Sequence, residues 1–348
     1  MNAWRFLFHK ASDDFLLATE EVLTKGVGTG KSPPTLRVNV FNPPSLLIGF
    51  NQDVYEEIKV DVAKSLKFSI NRRPTGGGAI IMNEDTPGWE IWIPKSLLKS
   101  ADITSMYEEL IRIPVKAFHN LGVKGAAFRP KNDIEVGGRK ISGTGIYVDH
   151  DGVLFCGTVL LDLDVELMLK VLKLPIEKIS DKAIKSFEER ITTVKRELGY
   201  KPTVDEVVKV FKKAATEILN VELVDGELNE WELQELEKVI RKYRSDEWVY
   251  EFRRGSGYSK VCTLKTPAGL MRIHVKVFEG VIESVMITGD FFTYPNTLIN
   301  DVEARLKWVP IDDVVKALDE FTAERPNHMI HGLTFKELAN HIVNCCKS

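Results

Sequence analysis

Three consecutive glycines, Gly76–Gly78, follow a predicted strand over 67–71 and constrain this chain more than any other feature. Their missing side chains let a ligand or another segment lie against the main chain, and the backbone N–H groups can bind an anion. Arg72 and Arg73 come just before the glycines and can pair with a phosphate or a carboxylate. The residue types alone leave a plain glycine-rich turn with solvated arginines equally open.

A second polar stretch runs over 132–145, where Gly137-Gly138 predicts a two-residue hairpin turn. The predicted register places Val136 opposite Arg139, Glu135 opposite Lys140, and Asp133 opposite Ser142. Alternation would then put five polar side chains on one face: Asp133, Glu135, Lys140, Ser142 and Thr144. Such a face suits a polar active site. The alternative is an exposed hairpin with a cross-strand ion pair.

The remaining patterns mix the two kinds of secondary structure. Helical spacing predicts helices over 13–24, 103–121 and 227–246, and alternation predicts strands over 35–41, 45–50 and 269–278. A chain of 348 residues is expected to form two domains. We predict an α+β fold with domains over 1–225 and 248–348, joined by a helical linker over 226–247.

Composition excludes several classes of protein. The net charge of −3 argues against a nucleic-acid binder by bulk charge. No apolar run approaches the roughly 20 residues of a membrane span, and the first ten residues are too short an apolar run for a signal peptide. The cytoplasm is therefore the expected compartment. Four cysteines without a CxxC spacing predict reduced thiols and no structural zinc site.

The two polar stretches together resemble the lipoate–protein ligase family, which belongs with the biotin–protein ligases. The family's hallmarks are an Arg-Arg-x-Ser-Gly-Gly-Gly-Ala block, an Asn-Asp pair and a Lys-x-Ser-Gly block. They stand here at 72–79, 132–133 and 140–143. Further similar stretches follow in the same order, and the resemblance spans nearly the whole chain. It implies a mixed β-sheet flanked by helices as the catalytic domain, and a smaller α+β accessory domain after it.

The resemblance also implies a reaction. Family members join a lipoyl-type carboxylate to ATP with Mg²⁺, release pyrophosphate, and pass the acyl group from the acyl-adenylate to a carrier lysine. The implied carriers are lipoyl domains of 2-oxoacid dehydrogenase complexes or the glycine cleavage H protein, with no nucleic acid and no membrane as partner. Lys140 would be the catalytic residue, bridging the acyl oxygen and the α-phosphate.

Other residues receive binding roles from the same resemblance. The implied ATP and acyl-adenylate site consists of Arg73, Thr75, Gly76, Gly77, Gly78, Ala79, Ile80, Ile81, Asn132, Asp133 and Lys140. The implied lipoate site consists of Arg73, Gly77, Gly78, Lys140 and Gly143. Asp133 would also help to hold Mg²⁺, which favours a carboxylate together with phosphate oxygens.

Two departures leave alternatives open. Met82-Asn83 stands where the family usually has His-Asp, and Cys156 stands where it usually has histidine. A related class transfers octanoyl or lipoyl groups between carriers without ATP, through a cysteine shortly before the hairpin. The corresponding stretch over 125–131 has no cysteine. The ligase is therefore the favoured interpretation, the transferase is the alternative, and lipoate and octanoate both remain candidate substrates.

Overall fold

The computed structural model of the chain describes residues 3–100, 102–129, 132–173, 185 and 189–348. The chain divides into two compact units. The first unit comprises Met1–Leu47, Ile58–Asn71 and Ile80–Ser245, and the second comprises Ile48–Glu57, Arg72–Ala79 and Asp246–Ser348. Two short internal segments thus belong with the C-terminal part of the chain. The predicted domain boundaries at 225 and 248 remain a proposal.

Twelve α-helices lie in the described part of the chain. They are α1 Asp13–Gly28, α2 Val54–Glu57, α3 Val60–Ser65, α4 Ile103–Leu110, α5 Arg112–Leu121, α6 Val165–Val171, α7 Val194–Leu198, α8 Val204–Leu219, α9 Glu230–Tyr243, α10 Leu298–Leu306, α11 Val314–Glu324 and α12 Phe335–Lys347. None of the helices described is long and apolar enough to cross a membrane.

The strands of the first unit are β1 Ala3–Ala11, β2 Thr35–Phe41, β3 Ser45–Ile48, β4 Ser69–Arg72, β5 Ile80–Met82, β6 Gly88–Pro94, β7 Ala127–Arg129, β8 Asp133–Val136, β9 Arg139–Asp149, β10 Gly152–Thr158 and β11 Glu222–Asp225, with the last residues of β3 and β4 in the second unit. The strands of the second unit are β12 Lys260–Thr266, β13 Gly269–Phe278, β14 Val281–Gly289, β15 Thr293–Tyr294, β16 Val309–Pro310 and β17 Met329–Ile330.

The first unit is built on a mixed eight-stranded sheet in the order β11-β1-β2-β6-β10-β9-β8-β7. Strand β1 pairs in parallel with β2 and β11, and the other pairs are antiparallel. Helix α1 lies on one face, where Trp92 donates to the carbonyl of Glu20. Aromatic packing of Trp89, Phe155 and Phe211 fills the opposite face beneath α5 and α8. The mixed sheet with flanking helices confirms the predicted fold class.

The predicted helix over 227–246 forms as α9, and it is anchored in the first unit. Its Glu232 is fully buried and accepts from both terminal nitrogens of Arg5, at 2.6 Å each. Tyr243, at its other end, donates to Glu21 of α1 at 2.7 Å. A buried bidentate ion pair is strongly held because breaking it would leave a charge unpaired in the interior.

The second unit packs α10, α11 and α12 against an antiparallel sheet in the order β12-β13-β14-β16. A disulfide between Cys262 of β12 and Cys345 of α12 ties the sheet to the last helix. The expectation of four reduced cysteines is therefore wrong for this pair. The tertiary fold brings together two cysteines that are 83 residues apart, which no local spacing signals.

Candidate functional site

The predicted hairpin forms from β8 and β9, with one change of register. Glu135 lies opposite Lys140 as predicted, but Asp133 lies opposite Gly143 and not Ser142. A bulge leaves Ile141 as the extra residue, and its side chain is fully buried in the core of the first unit. Burying this apolar side chain is favourable, and the bulge allows it while Asp133 pairs with Gly143.

Lys140 is held in place from two directions. Its ammonium lies 2.7 Å from Oδ1 of Asp133, and the lysine side chain is 37% exposed. Its main chain bonds to the segment beside it, since its N–H donates to the carbonyl of Arg190 and its carbonyl accepts from Thr192, both at 2.8 Å. Lys140 thus presents an ammonium that is paired but reachable from solvent.

Gly143 makes room for that ammonium. A Cβ at this position would lie 3.0 Å from Nζ of Lys140. The N–H of Gly143 donates to Oγ1 of Thr158 at 3.3 Å, which fixes the strand beside β10. The structure therefore brings Asp133, Lys140 and Gly143 together, although the predicted register placed Ser142, and not Gly143, opposite Asp133.

Asn132 is positioned through Thr144. Its carbonyl accepts from the N–H and from the hydroxyl of Thr144, both at 2.8 Å. The hydroxyl of Tyr107, on α4, bonds to that same threonine hydroxyl. Burial raises the pKa of Tyr107 well above its usual value, so this phenol stays protonated. Sequence patterning predicted only that Tyr107 lies on a helix.

The glycine loop lies in the second unit and is closed by Arg73. One terminal nitrogen of Arg73 donates to the carbonyls of Gly76 and Gly78, at 2.9 and 2.8 Å, and its Nε donates to Thr75 at 3.1 Å. Thr75 and Ala79 belong to the same loop. The predicted residues Ile80 and Ile81 follow in the first unit, where β5 pairs with β3.

Arg72 has a different role from the one predicted. Its guanidinium is fully buried and donates to main-chain carbonyls of the second unit. The acceptors include Gly49, Phe50, Gln52, Trp248 and Phe252. Burial lowers the pKa of Arg72 to about 9. The interpretation that Arg72 pairs with a phosphate is therefore wrong, because its donors already bind the protein's own backbone.

The glycines admit a neighbouring aromatic segment. Gly77 has a φ of +93°, and a Cβ there would lie 2.9 Å from the ring of Phe292. A Cβ at Gly76 would lie 2.6 Å from the carbonyl of Phe291. The glycine triplet is thus explained in part by packing within the second unit, where the main chain of the loop touches Phe291-Phe292.

Gly77→Ala is expected to destabilise the protein, whereas Gly78→Ala is expected to be nearly neutral. The first change places a side chain at positive φ and against Phe292, which should cost about 1–3 kcal/mol. A Cβ at Gly78 finds its nearest neighbour, Asp290, at 3.8 Å and needs no unusual φ. Urea unfolding of the two variants measures the difference. Equal stabilities would contradict this account of the loop.

The prediction that Asp133 binds a metal ion is compatible only with an ion that keeps most of its ligands from water and from phosphate oxygens. Among the described residues, no group of three or more His, Cys, Asp or Glu side chains could hold a metal ion. Mg²⁺ usually keeps water and phosphate oxygens and takes one or two carboxylates from the protein. Asp133 can supply one carboxylate, at the expense of its ion pair with Lys140.

Two family models match the chain. The model described as the lipoyl protein ligase A/B catalytic domain matches residues 14–216. The model described as the bacterial lipoate protein ligase C-terminus matches residues 257–342. The two matches do not overlap, and the first covers more than half of the chain.

Similar curated proteins carry two different names. Octanoyltransferase LipM of Kyrpidia tusciae is 26% identical over 72% of this chain and 99% of its own length. Octanoyltransferase LipM of Clostridioides difficile is 27% identical over 71% of this chain and 98% of its own length. A probable lipoate-protein ligase A of Mycoplasma pneumoniae is 29% identical over 72% of this chain and 72% of its own length.

Solved structures support the fold. The bi-partite lipoate protein ligase of Thermoplasma acidophilum, described with its E2 lipoyl domain, is 25% identical with a TM-score of 0.66, over 73% of this chain and 98% of that one. LipL1 of P. falciparum, described in complex with lipoate, is 16% identical with a TM-score of 0.76, over 99% of this chain and 100% of that one. The second likeness concerns the fold alone.

Proposed function

This chain belongs to the lipoyl protein ligase A/B family of enzymes, and on that premise we propose that it is an ATP-dependent lipoate–protein ligase. It would join lipoate or octanoate to AMP and then pass the acyl group to a lysine of a lipoyl carrier domain. The carriers we propose are the lipoyl domains of 2-oxoacid dehydrogenase complexes or the glycine cleavage H protein. ATP is a substrate in this proposal, and Mg²⁺ would accompany its phosphates.

The ammonium of Lys140 is the observation that carries the proposal. When a carboxylate attacks the α-phosphate, two negatively charged groups approach each other, and a fixed cation between them stabilises the transition state. Lys140 is a compact charge held by Asp133, with Gly143 leaving space beside it. No nucleophilic side chain is needed in the second step, because the acyl-adenylate is already activated.

The remaining roles are proposed from the family pattern. We propose that Arg73 shapes the loop of Thr75, Gly76, Gly77, Gly78 and Ala79, whose main-chain N–H groups would bind phosphate. Ile80 and Ile81 would add apolar and main-chain contacts to the nucleotide. Asn132 and Asp133 would bind the phosphates and Mg²⁺, whose positive charge would offset the charge of the phosphates. Arg73, Gly77, Gly78, Lys140 and Gly143 would contact the lipoyl group.

The second candidate function is octanoyl transfer between carriers without ATP, which the similarity to LipM proteins favours. Two observations favour the ligase over it. The stretch before the hairpin, over 125–131, contains no cysteine to form a thioester. The LipM alignments take in 98–99% of those proteins but only 71–72% of this chain, and the unmatched share is large enough for the region that resembles a ligase C-terminus.

One assay separates the two functions. The full-length protein is incubated with a lipoyl-domain acceptor and lipoate or octanoate, with and without ATP and Mg²⁺, and the mass of the acceptor is measured. The ligase requires ATP and releases pyrophosphate. Modification from an octanoylated carrier without ATP would instead establish the transferase.

Cys156→Ser is expected to retain the greater part of the activity. This is the only cysteine of the chain within the first unit's range. Its thiol donates to the carbonyl of Gly145 at 3.7 Å and packs against a cluster that includes Trp92 and Leu154. Serine keeps the size and the donor, so an ATP-dependent ligase should tolerate it.

A transferase acting through this thiol would lose turnover in the same variant, because serine without a base is a far weaker nucleophile. Cys346→Ser, which changes a partly buried thiol of the second unit, serves as the matched control. An acyl-thioester trapped on Cys156 by intact-protein mass spectrometry would contradict the ligase assignment.

A further inference from the structure

The segment over 190–194 pairs with the main chain of Lys140 and is itself fixed to the sheet beyond it. Lys140 forms a parallel bridge with Ile191, and its N–H and its carbonyl both bond to this segment. The segment then reaches the residues that follow β10, where the N–H of Val194 donates to the carbonyl of Leu160 at 2.7 Å. The place of Lys140 therefore depends on how firmly this segment is held.

Thr192 and Glu197 hold the segment from the side of α7. Thr192 is 1% exposed, its N–H donates to the carbonyl of Lys140 at 2.8 Å, and its hydroxyl donates to Oε1 of Glu197 at 2.5 Å. Glu197 lies on α7, whose first residue, Val194, is fully buried in the core of the first unit. A hydrogen bond from a hydroxyl to a carboxylate is charge-assisted and is stronger than a neutral one. One side chain of α7 thus holds the residue that bonds to the main chain of Lys140.

The same carboxylate also contacts the residue that precedes Lys140. Nη2 of Arg139 donates to Oε1 of Glu197 at 2.9 Å. The two side chains of this ion pair are 32% and 17% exposed, and ion pairs that are open to solvent contribute little. Thr192 is buried, so its bond to Glu197 is the stronger of the two contacts. Glu197 therefore bonds to the chain on both sides of Lys140, chiefly through Thr192.

The ammonium of Lys140 needs this support from its main chain. The side chains of its ion pair with Asp133 are 37% and 24% exposed, and an exposed pair is weakly held. A lysine side chain has a flexible four-carbon stem, so the ion pair alone leaves the ammonium loosely placed. The bonds from the main chain of Lys140 to Arg190 and Thr192 fix the point where that stem begins. A displacement of about 1 Å of a catalytic group can lower a rate on the order of 100-fold.

We propose that Thr192 and Glu197 are positioning residues, which act through the main chain of Lys140 and set the place of its ammonium in the adenylation step; this rests on the proposed function. Neither side chain needs to touch ATP or the acyl group. Because Lys140 would act mainly in the transition state, loosening it lowers kcat for acyl-adenylate formation and leaves KM for ATP and lipoate close to the wild-type values. A contact that supports only the fold would instead lower the amount of folded protein.

Thr192→Val and Thr193→Val form a matched pair for the test in the full-length protein. The two threonines are neighbours, and valine replaces the hydroxyl of each with a methyl group. The hydroxyl of Thr193 caps α7 by accepting from the N–H of Arg196 at 3.2 Å, whereas that of Thr192 bonds to Glu197. We expect Thr192→Val to lower kcat for pyrophosphate release at least about tenfold and to change KM less than about threefold. Thr193→Val should keep the wild-type kcat.

Further variants test the bond itself. Thr192→Ser keeps the hydroxyl and Glu197→Gln keeps an oxygen that accepts from it, so both should retain most of kcat. Glu197→Leu removes the acceptor and should lose kcat as Thr192→Val does, and it is the second variant should valine at 192 prevent folding. Added to Lys140→Ala, Thr192→Val should lower kcat less than about twofold further, because residues that act through one group are not additive. A full further loss in that background would overturn the proposal.

Hydrogen exchange of the main-chain amides over 139–142 gives a readout that does not depend on the reaction. We expect faster exchange in Thr192→Val than in the wild-type protein or in Thr193→Val. That result in a protein that forms no ATP-dependent adenylate would support the positioning of Lys140 and refute the ligase. Unchanged exchange and unchanged kcat in Thr192→Val, in a protein that does form adenylate, would overturn the role of Thr192 and leave the ligase in place. Equal losses of kcat in the two valine variants would also overturn it, because the segment would then only support the fold.

Discussion

Lys140→Ala is expected to fold normally and to form little acyl-adenylate. The ammonium would act mainly in the transition state, where the attacking carboxylate meets the α-phosphate. Removing such a group should raise the adenylation barrier by on the order of 3 kcal/mol or more, which is a loss of at least about 100-fold in rate. Pyrophosphate release with saturating ATP and lipoate measures the effect.

Lys116→Ala provides the control for charge and folding. Lys116 is 41% exposed and pairs with Glu217 at 3.1 Å, so it resembles Lys140 in exposure and pairing but lies on α5. This variant should release pyrophosphate at the wild-type rate, since exposed ion pairs contribute little to stability. Pyrophosphate release by Lys140→Ala at a rate close to wild type would refute the catalytic role of Lys140.

The hairpin shows how much of the site can be predicted from the sequence alone. Gly137-Gly138 predicted the turn, and the pairing of Glu135 with Lys140 follows from counting outward. The predicted register fails at Ile141, three residues after the turn, because Ile141 is the extra residue of a bulge and is buried in the core. Local turn rules set the start of a hairpin, but burial against distant residues decides where a bulge forms.

The two arginines before the glycines show a second limit. The sequence presents Arg72 and Arg73 as equivalent cations. The structure separates them, because Arg72 is enclosed by carbonyls of the second unit and Arg73 closes the glycine loop. A strand places successive side chains on opposite faces, but the surroundings of each face come from segments far along the chain.

Periodicity and motif spacing did not indicate the residues that support the fold and the site from remote parts of the chain. Tyr107, for example, bonds to Thr144 from a helix. Strand β1 was also not predicted, although its Arg5 makes a buried ion pair with Glu232. Each of these roles depends on a partner that is remote in sequence, so neither periodicity nor motif spacing can reveal it.

The disulfide between Cys262 and Cys345 also joins residues that are remote in sequence. Among the changes predicted here, its removal is expected to have the largest effect on stability. It closes a segment with a sequence separation of 83 residues, between an edge strand and the last helix. In the chain-entropy account, a cross-link that closes a loop of that length stabilises the folded protein by restricting the unfolded chain, by about 4–5 kcal/mol.

Cys262→Ser is therefore expected to lower the free energy of unfolding of the second unit by roughly that amount, about 4–5 kcal/mol. Cys346→Ser is the control, since Cys346 is next to Cys345 in the chain and forms no disulfide. Urea unfolding, followed by the fluorescence of Trp248 and Trp308 in variants that lack the other tryptophans, reports on the second unit. A reducing agent should destabilise the wild-type protein to the level of Cys262→Ser and leave that variant unchanged. If reduction leaves the wild-type midpoint where it was, the disulfide does not stabilise the second unit.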